Sequence, residues 1–179
     1  MTVLILFETV EGQTRKIARF AEKEIRKAAQ EVVLVDAADR TAPVSFKGVD
    51  KVILAASVHE RRHPIAFEVF LAANRNELEA LSTLLISVSL SAAFPDGLED
   101  AKEYLTELKM RTRFTPDVEA LVAGAVRTSK YDYFATQVVR QVVLRGRDFD
   151  SGKGEHEFTD WKALETTLSA FLAADASSS

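Results

Sequence analysis

Two stretches carry residue types that do chemistry. The first is Thr9-Val10-Glu11-Gly12-Gln13-Thr14, between the apolar run Val3–Phe7 and a helical pattern. Amides at a helix start lack intrahelical partners, and the helix dipole adds positive potential there. Thr9 and Thr14 add hydroxyls, and Gly12 lets the backbone bend close to a ligand. Together they make a phosphate cradle. No Gly-Lys-Ser/Thr follows, so this is not the nucleotide P-loop, and it is not the Gly-x-Gly-x-x-Gly dinucleotide turn. The plain alternative is that Thr9 or Thr14 only caps the helix. Glu8 and Glu11 repel a dianion. They oppose it less if their side chains turn away and backbone amides alone face the ligand.

The second stretch is His59-Glu60-Arg61-Arg62-His63. Arg pairs with carboxylates in a two-pronged geometry, so Arg61 and Arg62 suit an acidic substrate. The alternative is a solvated loop. Two histidines without a third ligand at a known spacing do not make a metal site. Arg127 and Tyr131, just past a strand-like run, are further candidates: Arg127 to neutralise an anionic group, Tyr131 to stack on a flat ligand.

These stretches must be positioned by a scaffold. Val3–Phe7, Val32–Val35, Val52–Ala56, Leu84–Val88 and Leu121–Val126 read as strands. Between them run helical stripes: Ile17, Phe20, Ala21, Ile25 and Ala28; then Ala66, Val69, Phe70 and Ala73; then Ala101, Tyr104, Leu105 and Leu108. A last helix carries Trp161, Leu164, Leu168, Phe171 and Leu172, with Thr159 as the expected N-cap and Trp161 as a core anchor. The alternation predicts an α/β fold, a doubly wound, mainly parallel five-stranded sheet with ligands at the carboxyl ends of its strands. One domain over 1–174 is expected, with an insert at about 127–157 and a flexible tail at 175–179.

The chain has 179 residues and a net charge of −4, which argues against a nucleic-acid partner. It has no cysteine, which excludes disulfides and thiolate sites. No signal peptide is expected, and no apolar run nears the roughly 18–20 residues that a spanning helix needs. The insert stands out. Tyr131, Phe134, Ala135, Val138, Val139, Val142 and Val143 share a helical face, and Arg127, Lys130, Arg140, Arg145 and Arg147 oppose only Asp132. Such a basic amphipathic helix over 131–147 packs on its own sheet or meets an anionic membrane surface.

The landmarks form a colinear set that resembles one family. Leu4–Ala18 is similar to "LILFxTxxGQTxxIA", Ala55-Ala56-Ser57 to "GAS" and Ser87-Val88-Ser89 to "SVN". Ala123-Gly124-Ala125-Val126-Arg127 is similar to "AGALR", and Thr159-Asp160-Trp161 matches "TDW". These are marks of the flavodoxin-like, menaquinone-dependent protoporphyrinogen oxidases. Glu8 replaces a small hydroxyl residue of that pattern, and Ser89 an Asn. The resemblance implies strand order 2-1-3-4-5 and FMN as cofactor. It implies the FMN phosphate on Thr9, Val10, Glu11, Gly12, Gln13 and Thr14. The ring system would lie between Ser57, Val58 and His59 on one side and Ser89, Leu90, Ser91 and Gly97 on the other. A hydride equivalent would pass from a porphyrinogen methylene to the flavin, and electrons onward to a membrane quinone. No side chain is then a catalytic base. Arg61, Arg62, His63, Arg127 and Tyr131 would hold the substrate. A cytoplasmic protein touching the inner membrane's cytoplasmic face through 131–147 is implied. Two other readings stand beside it: a flavodoxin-like electron carrier, and a domain that has lost FMN and binds a protein partner.

Overall fold

The computed structural model describes residues 1–39, 41, 43–126 and 155–174. Arg127, Tyr131, the expected 131–147 helix and the 175–179 tail lie outside them.

Five parallel strands form one sheet: β1 (Thr2–Glu8), β2 (Glu31–Asp36), β3 (Lys51–Ser57), β4 (Ser82–Ser89) and β5 (Val118–Ala123). Their order is β2-β1-β3-β4-β5, the order expected. The three inner strands are apolar on both faces because helices cover both. β2 lies at an edge and leaves Val33 exposed.

Side-chain alternation splits the core into two layers. Val3, Ile5 and Phe7 pack with Ile17, Ala18, Ala21 and Ile25 of α1 (Gln13–Lys27) and with Leu164, Leu168 and Phe171 of α5 (Trp161–Ala173). Leu4 and Leu6 pack on the other side, against α2 (Ile65–Ala73), α3 (Arg75–Glu79) and α4 (Leu98–Thr112). Among the described residues no helix is long and apolar enough to cross a membrane.

Four expectations are corrected. The α2 stripe is rotated: Phe67 and Leu71 are buried, whereas Val69 is 61% exposed. Ile-Ala-Phe-Glu-Val-Phe-Leu-Ala-Ala is apolar nearly all round, so spacing alone does not select a face. The fifth strand starts at Val118 and stops at Gly124. Ala125–Val126 (β6) leaves the sheet and pairs antiparallel with His156–Glu157 (β7). The N-cap of α5 is Asp160, whose Oδ1 accepts the Ala163 amide at 2.9 Å, so Thr159 is free for another bond. Trp161 is half-buried; its ring packs on Phe20 at 5.0 Å rather than in the centre of the core.

Candidate functional site

The parallel register brings the ends of four strands to one edge. Glu8 sits beside Ala56, Ser57 beside Val88, and Ser89 beside Ala123. Backbone that leaves these ends is not held by the ladder, and this is where such sheets bind ligands.

The Thr9–Thr14 turn closes onto this edge. Gly12 has φ +96°, a left-handed conformation that glycine adopts at little cost, and it starts α1 without a side-chain cap. The Gly12 amide donates to Thr9 Oγ1 at 2.8 Å, which leaves the Thr9 hydroxyl proton available. The Val10 amide donates to Ser57 Oγ at 3.3 Å, tying the turn to the end of β3. Thr14 is fully buried and its hydroxyl has no hydrogen-bond partner among the described residues. An orphaned hydroxyl there costs stability unless a ligand uses it. With the first-turn amides, this arrangement fits a phosphate.

Glu8 alternates with Leu4 and Leu6, so its side chain turns to the α2 layer rather than toward α1. Its Oε2 is buried without a partner among the described residues. Burial, and then the nearby Asp36 charge, raise its pKa, while the Phe67 amide opposes the rise. Asp36 in turn pairs with Arg15 at 2.8 Å.

The segment after β3 is a tight hairpin. His59 and Arg62 exchange both backbone hydrogen bonds, at 2.9 and 3.0 Å. Glu60 and Arg61 occupy φ +48° and +64°, strained for residues with a Cβ. Arg61 is exposed, with its guanidinium 5.4 Å from the Tyr104 ring centre and 3.4 Å from Glu103. Arg62 grips Glu68 with Nε at 3.2 Å and Nη2 at 2.6 Å, and Arg111 Nε reaches the same carboxylate at 2.9 Å. These bonds lower the Glu68 pKa against its burial. His63 is 1% exposed and bonds Ser87 Oγ at 2.9 Å. Burial lowers its pKa to about 4, so the ring is neutral.

The residues expected to meet substrate differ in their surroundings. Arg61 and Arg62 are both exposed; Arg61 lies over the Tyr104 ring and near Glu103, whereas Arg62 pairs with the buried Glu68. His63 lies beneath the hairpin. The reason is local: two residues after a hairpin turn the chain already enters α2, so His63 points inward.

The loop after β4 is two 3₁₀ turns, Ser91–Ala93 and Pro95–Gly97. Ser89 is buried and its hydroxyl accepts the Ala92 amide at 3.2 Å. A Cβ at Gly97 would lie 2.3 Å from the Ser91 carbonyl oxygen, so only glycine fits there. Ser91 Oγ lies 3.5 Å from the Tyr104 hydroxyl. The Val58 amide donates to the Val88 carbonyl at 2.7 Å, joining the two loops. Leu90 packs with Phe94, Val126 and Phe158.

Sequence reasoning missed three groups here. Tyr104 reads as a core position, yet its ring faces the Arg61 guanidinium and its hydroxyl lies near Ser91 Oγ. Phe94 and Phe158 meet edge to face at 5.3 Å, and no periodicity links them. Glu157 receives Gln13 Nε2 at 2.7 Å and Lys16 Nζ at 3.4 Å, a contact spanning most of the chain. Among the described residues no cluster of His, Asp or Glu could hold a metal.

Residues 4–151 match the model of the flavodoxin domain. The chain is similar to protoporphyrinogen IX dehydrogenase [quinone] of Escherichia coli strain K12, 28% identical over 92% of this chain and 91% of that protein. It is similar to the protein of the same name from Leishmania major, 26% identical over 95% of this chain and 74% of the other. Its fold is similar to that of oxidised flavodoxin 1 from Bacillus cereus, with a TM-score of 0.55, 15% identity and coverage of 96% of this chain and 97% of that one. The chain belongs to the flavodoxin domain family.

Proposed function

We propose that this protein is an FMN-dependent oxidoreductase that oxidises a porphyrinogen and passes the electrons to a quinone. The observation that carries the cofactor is the cradle at Thr9–Thr14, with Gly12 left-handed and a fully buried Thr14 hydroxyl awaiting a partner. The relatives named protoporphyrinogen IX dehydrogenase [quinone] support the substrate and the acceptor. Bound FMN supplies the hydride-accepting and electron-passing chemistry.

The chain's own residues bind and orient. The Thr9 hydroxyl and the amides of Val10, Glu11, Gly12, Gln13 and Thr14 hold the phosphate. Recognition runs through backbone dipoles, so Glu11 takes part by its amide alone. Ser57, Val58 and His59 line one side of the flavin ring, and Ser89, Leu90, Ser91 and Gly97 line the other. Arg61 holds a substrate carboxylate at the mouth, steadied by the Tyr104 ring. Arg62, paired with Glu68 at the surface, and the buried His63 fix the hairpin that presents Arg61. Arg127 and Tyr131 complete the substrate side, and the basic 131–147 segment meets the membrane surface that carries the quinone.

The test is anaerobic oxidation of protoporphyrinogen IX by the FMN-loaded protein with a water-soluble quinone, read by porphyrin fluorescence. Quinone-dependent appearance of porphyrin supports the proposal. A yellow protein that exchanges electrons with a reductase yet leaves the porphyrinogen unoxidised would make it an electron carrier.

A further inference from the structure

Thr159-Asp160-Trp161 precedes α5, yet only Asp160 serves that helix as its cap. Thr159 is 9% exposed and turns elsewhere. Its hydroxyl donates to the Ala123 carbonyl at 2.6 Å and accepts from Gln13 Nε2 at 2.9 Å. A hydroxyl carries one proton and two lone pairs, so both bonds form at once. Gln13 is the first residue of α1 and is 5% exposed. Its Nε2 also donates to Glu157. Trp161 joins the same group: Nε1 donates to Glu157 Oε2 at 3.2 Å.

On the far side, Ala123 ends β5, and the next amide, Gly124, donates to the Ser89 carbonyl at 3.1 Å. The Phe158 amide donates back to the Gly124 carbonyl at 3.0 Å. A hydrogen-bonded path therefore runs from the first turn of α1, through the Thr159 hydroxyl, to the residue that opens the loop after β4. The Thr159 hydroxyl thus links the start of α1 to the end of β5, one peptide bond from the Gly124 amide that holds the Ser89 carbonyl.

We infer that Thr159 is a positioning residue for the cofactor, whose hydroxyl holds the Thr9–Thr14 cradle at a fixed spacing from the Ser89–Gly97 loop. The inference rests on the reading of Thr9–Thr14 as the FMN phosphate site. A ligand that spans both loops depends on this spacing, whereas one that uses only the ring side does not. The Thr159 hydroxyl uses its proton and a lone pair in buried hydrogen bonds that favour one arrangement, while Gln13 Oε1 is buried without a partner among the described residues.

The test is titration of wild type, Thr159→Val, Thr159→Ser and Gln13→Met with FMN and with riboflavin, which lacks the phosphate. Thr159→Val is expected to weaken FMN about tenfold while riboflavin changes by less than about twofold. Thr159→Ser keeps the hydroxyl and should retain wild-type binding. Gln13→Met breaks the same link from its other end and should reproduce the loss, and the double variant should be no worse than the poorer single one. If Thr159→Val does not fold, Gln13→Met and Thr159→Ser carry the comparison. The inference is overturned if the Val or Met variant titrates like wild type, if either loses FMN and riboflavin equally, or if Thr159→Ser fails with them. A wild type that binds neither flavin overturns the cofactor reading itself, and this inference with it.

Discussion

Glu8 and Thr14 show how single residues bear on the site. Among the described residues, Thr14 keeps a buried hydroxyl without a partner, and Glu8 keeps a buried carboxylate oxygen without one. The first lies where a phosphate would use it. The second turns to the α2 layer and stays out of the cradle, so its charge opposes folding more than it opposes a ligand. Its pKa is raised, first by burial and then by Asp36. For a group raised on folding, stability is greatest below the unfolded value and is lost as pH rises through the folded value. Glu8→Gln should therefore raise the urea midpoint at pH 7, and the gain should disappear below about pH 4, where the unfolded carboxyl is also protonated. Unfolding curves at the two pH values check this. An equal gain at both would mean that the charge of Glu8 is not the cause.

Elements are held to the sheet by contacts that join distant parts of the chain. Lys51 starts β3, is 4% exposed, and reaches across to the end of α5. Its ammonium donates to the carbonyls of Phe171 at 2.7 Å, Leu172 at 3.3 Å and Ala174. A cation at a helix C-terminus satisfies orphan carbonyls and complements the dipole. Lys51→Met should cost about 2 kcal/mol, read by chemical denaturation, with amide exchange accelerated in the last turn of α5. A loss under about 0.5 kcal/mol would show that the carbonyls find water instead. None of this is visible in sequence, where a lysine before Val52–Ala56 reads as the wet end of a strand. The strands themselves were legible, because inner parallel strands are continuous apolar runs. The turn from β1 into α1 was legible too, since Thr, Gly and Thr fall at a strand-to-helix junction. What escaped was whatever local spacing does not encode: the rotation of α2, apolar nearly all round; the break at Gly124; and the pairing of Gln13 with Glu157 and Thr159. Residue type likewise did not show that Arg62 and His63 bond the buried Glu68 and Ser87, which come from other elements.

For the whole molecule, the sheet edge, the cradle and the hairpin make one assembly whose stability is linked to pH through His63. That ring is buried, neutral and held near pKa 4, well below its ordinary 6.5. The nearby Glu68 carboxylate opposes the shift and the Arg111 guanidinium adds to it. A group lowered on folding gives stability that is present above the unfolded pKa and lost as pH falls through the folded one. Stability should thus fall between about pH 6.5 and 4, by on the order of 3 kcal/mol from this group. His63→Leu should lack that part of the slope, as urea denaturation across the range will show; an unchanged slope would assign it to other groups. We propose that this flavodoxin-family chain holds a flavin by its phosphate at Thr9–Thr14. It is tested most directly by titrating the purified protein with FMN and with riboflavin, followed by flavin fluorescence. FMN binding at least about tenfold tighter than riboflavin, a difference of about 1.4 kcal/mol, is the predicted result. Equal affinity for the two, or binding of neither, would contradict it.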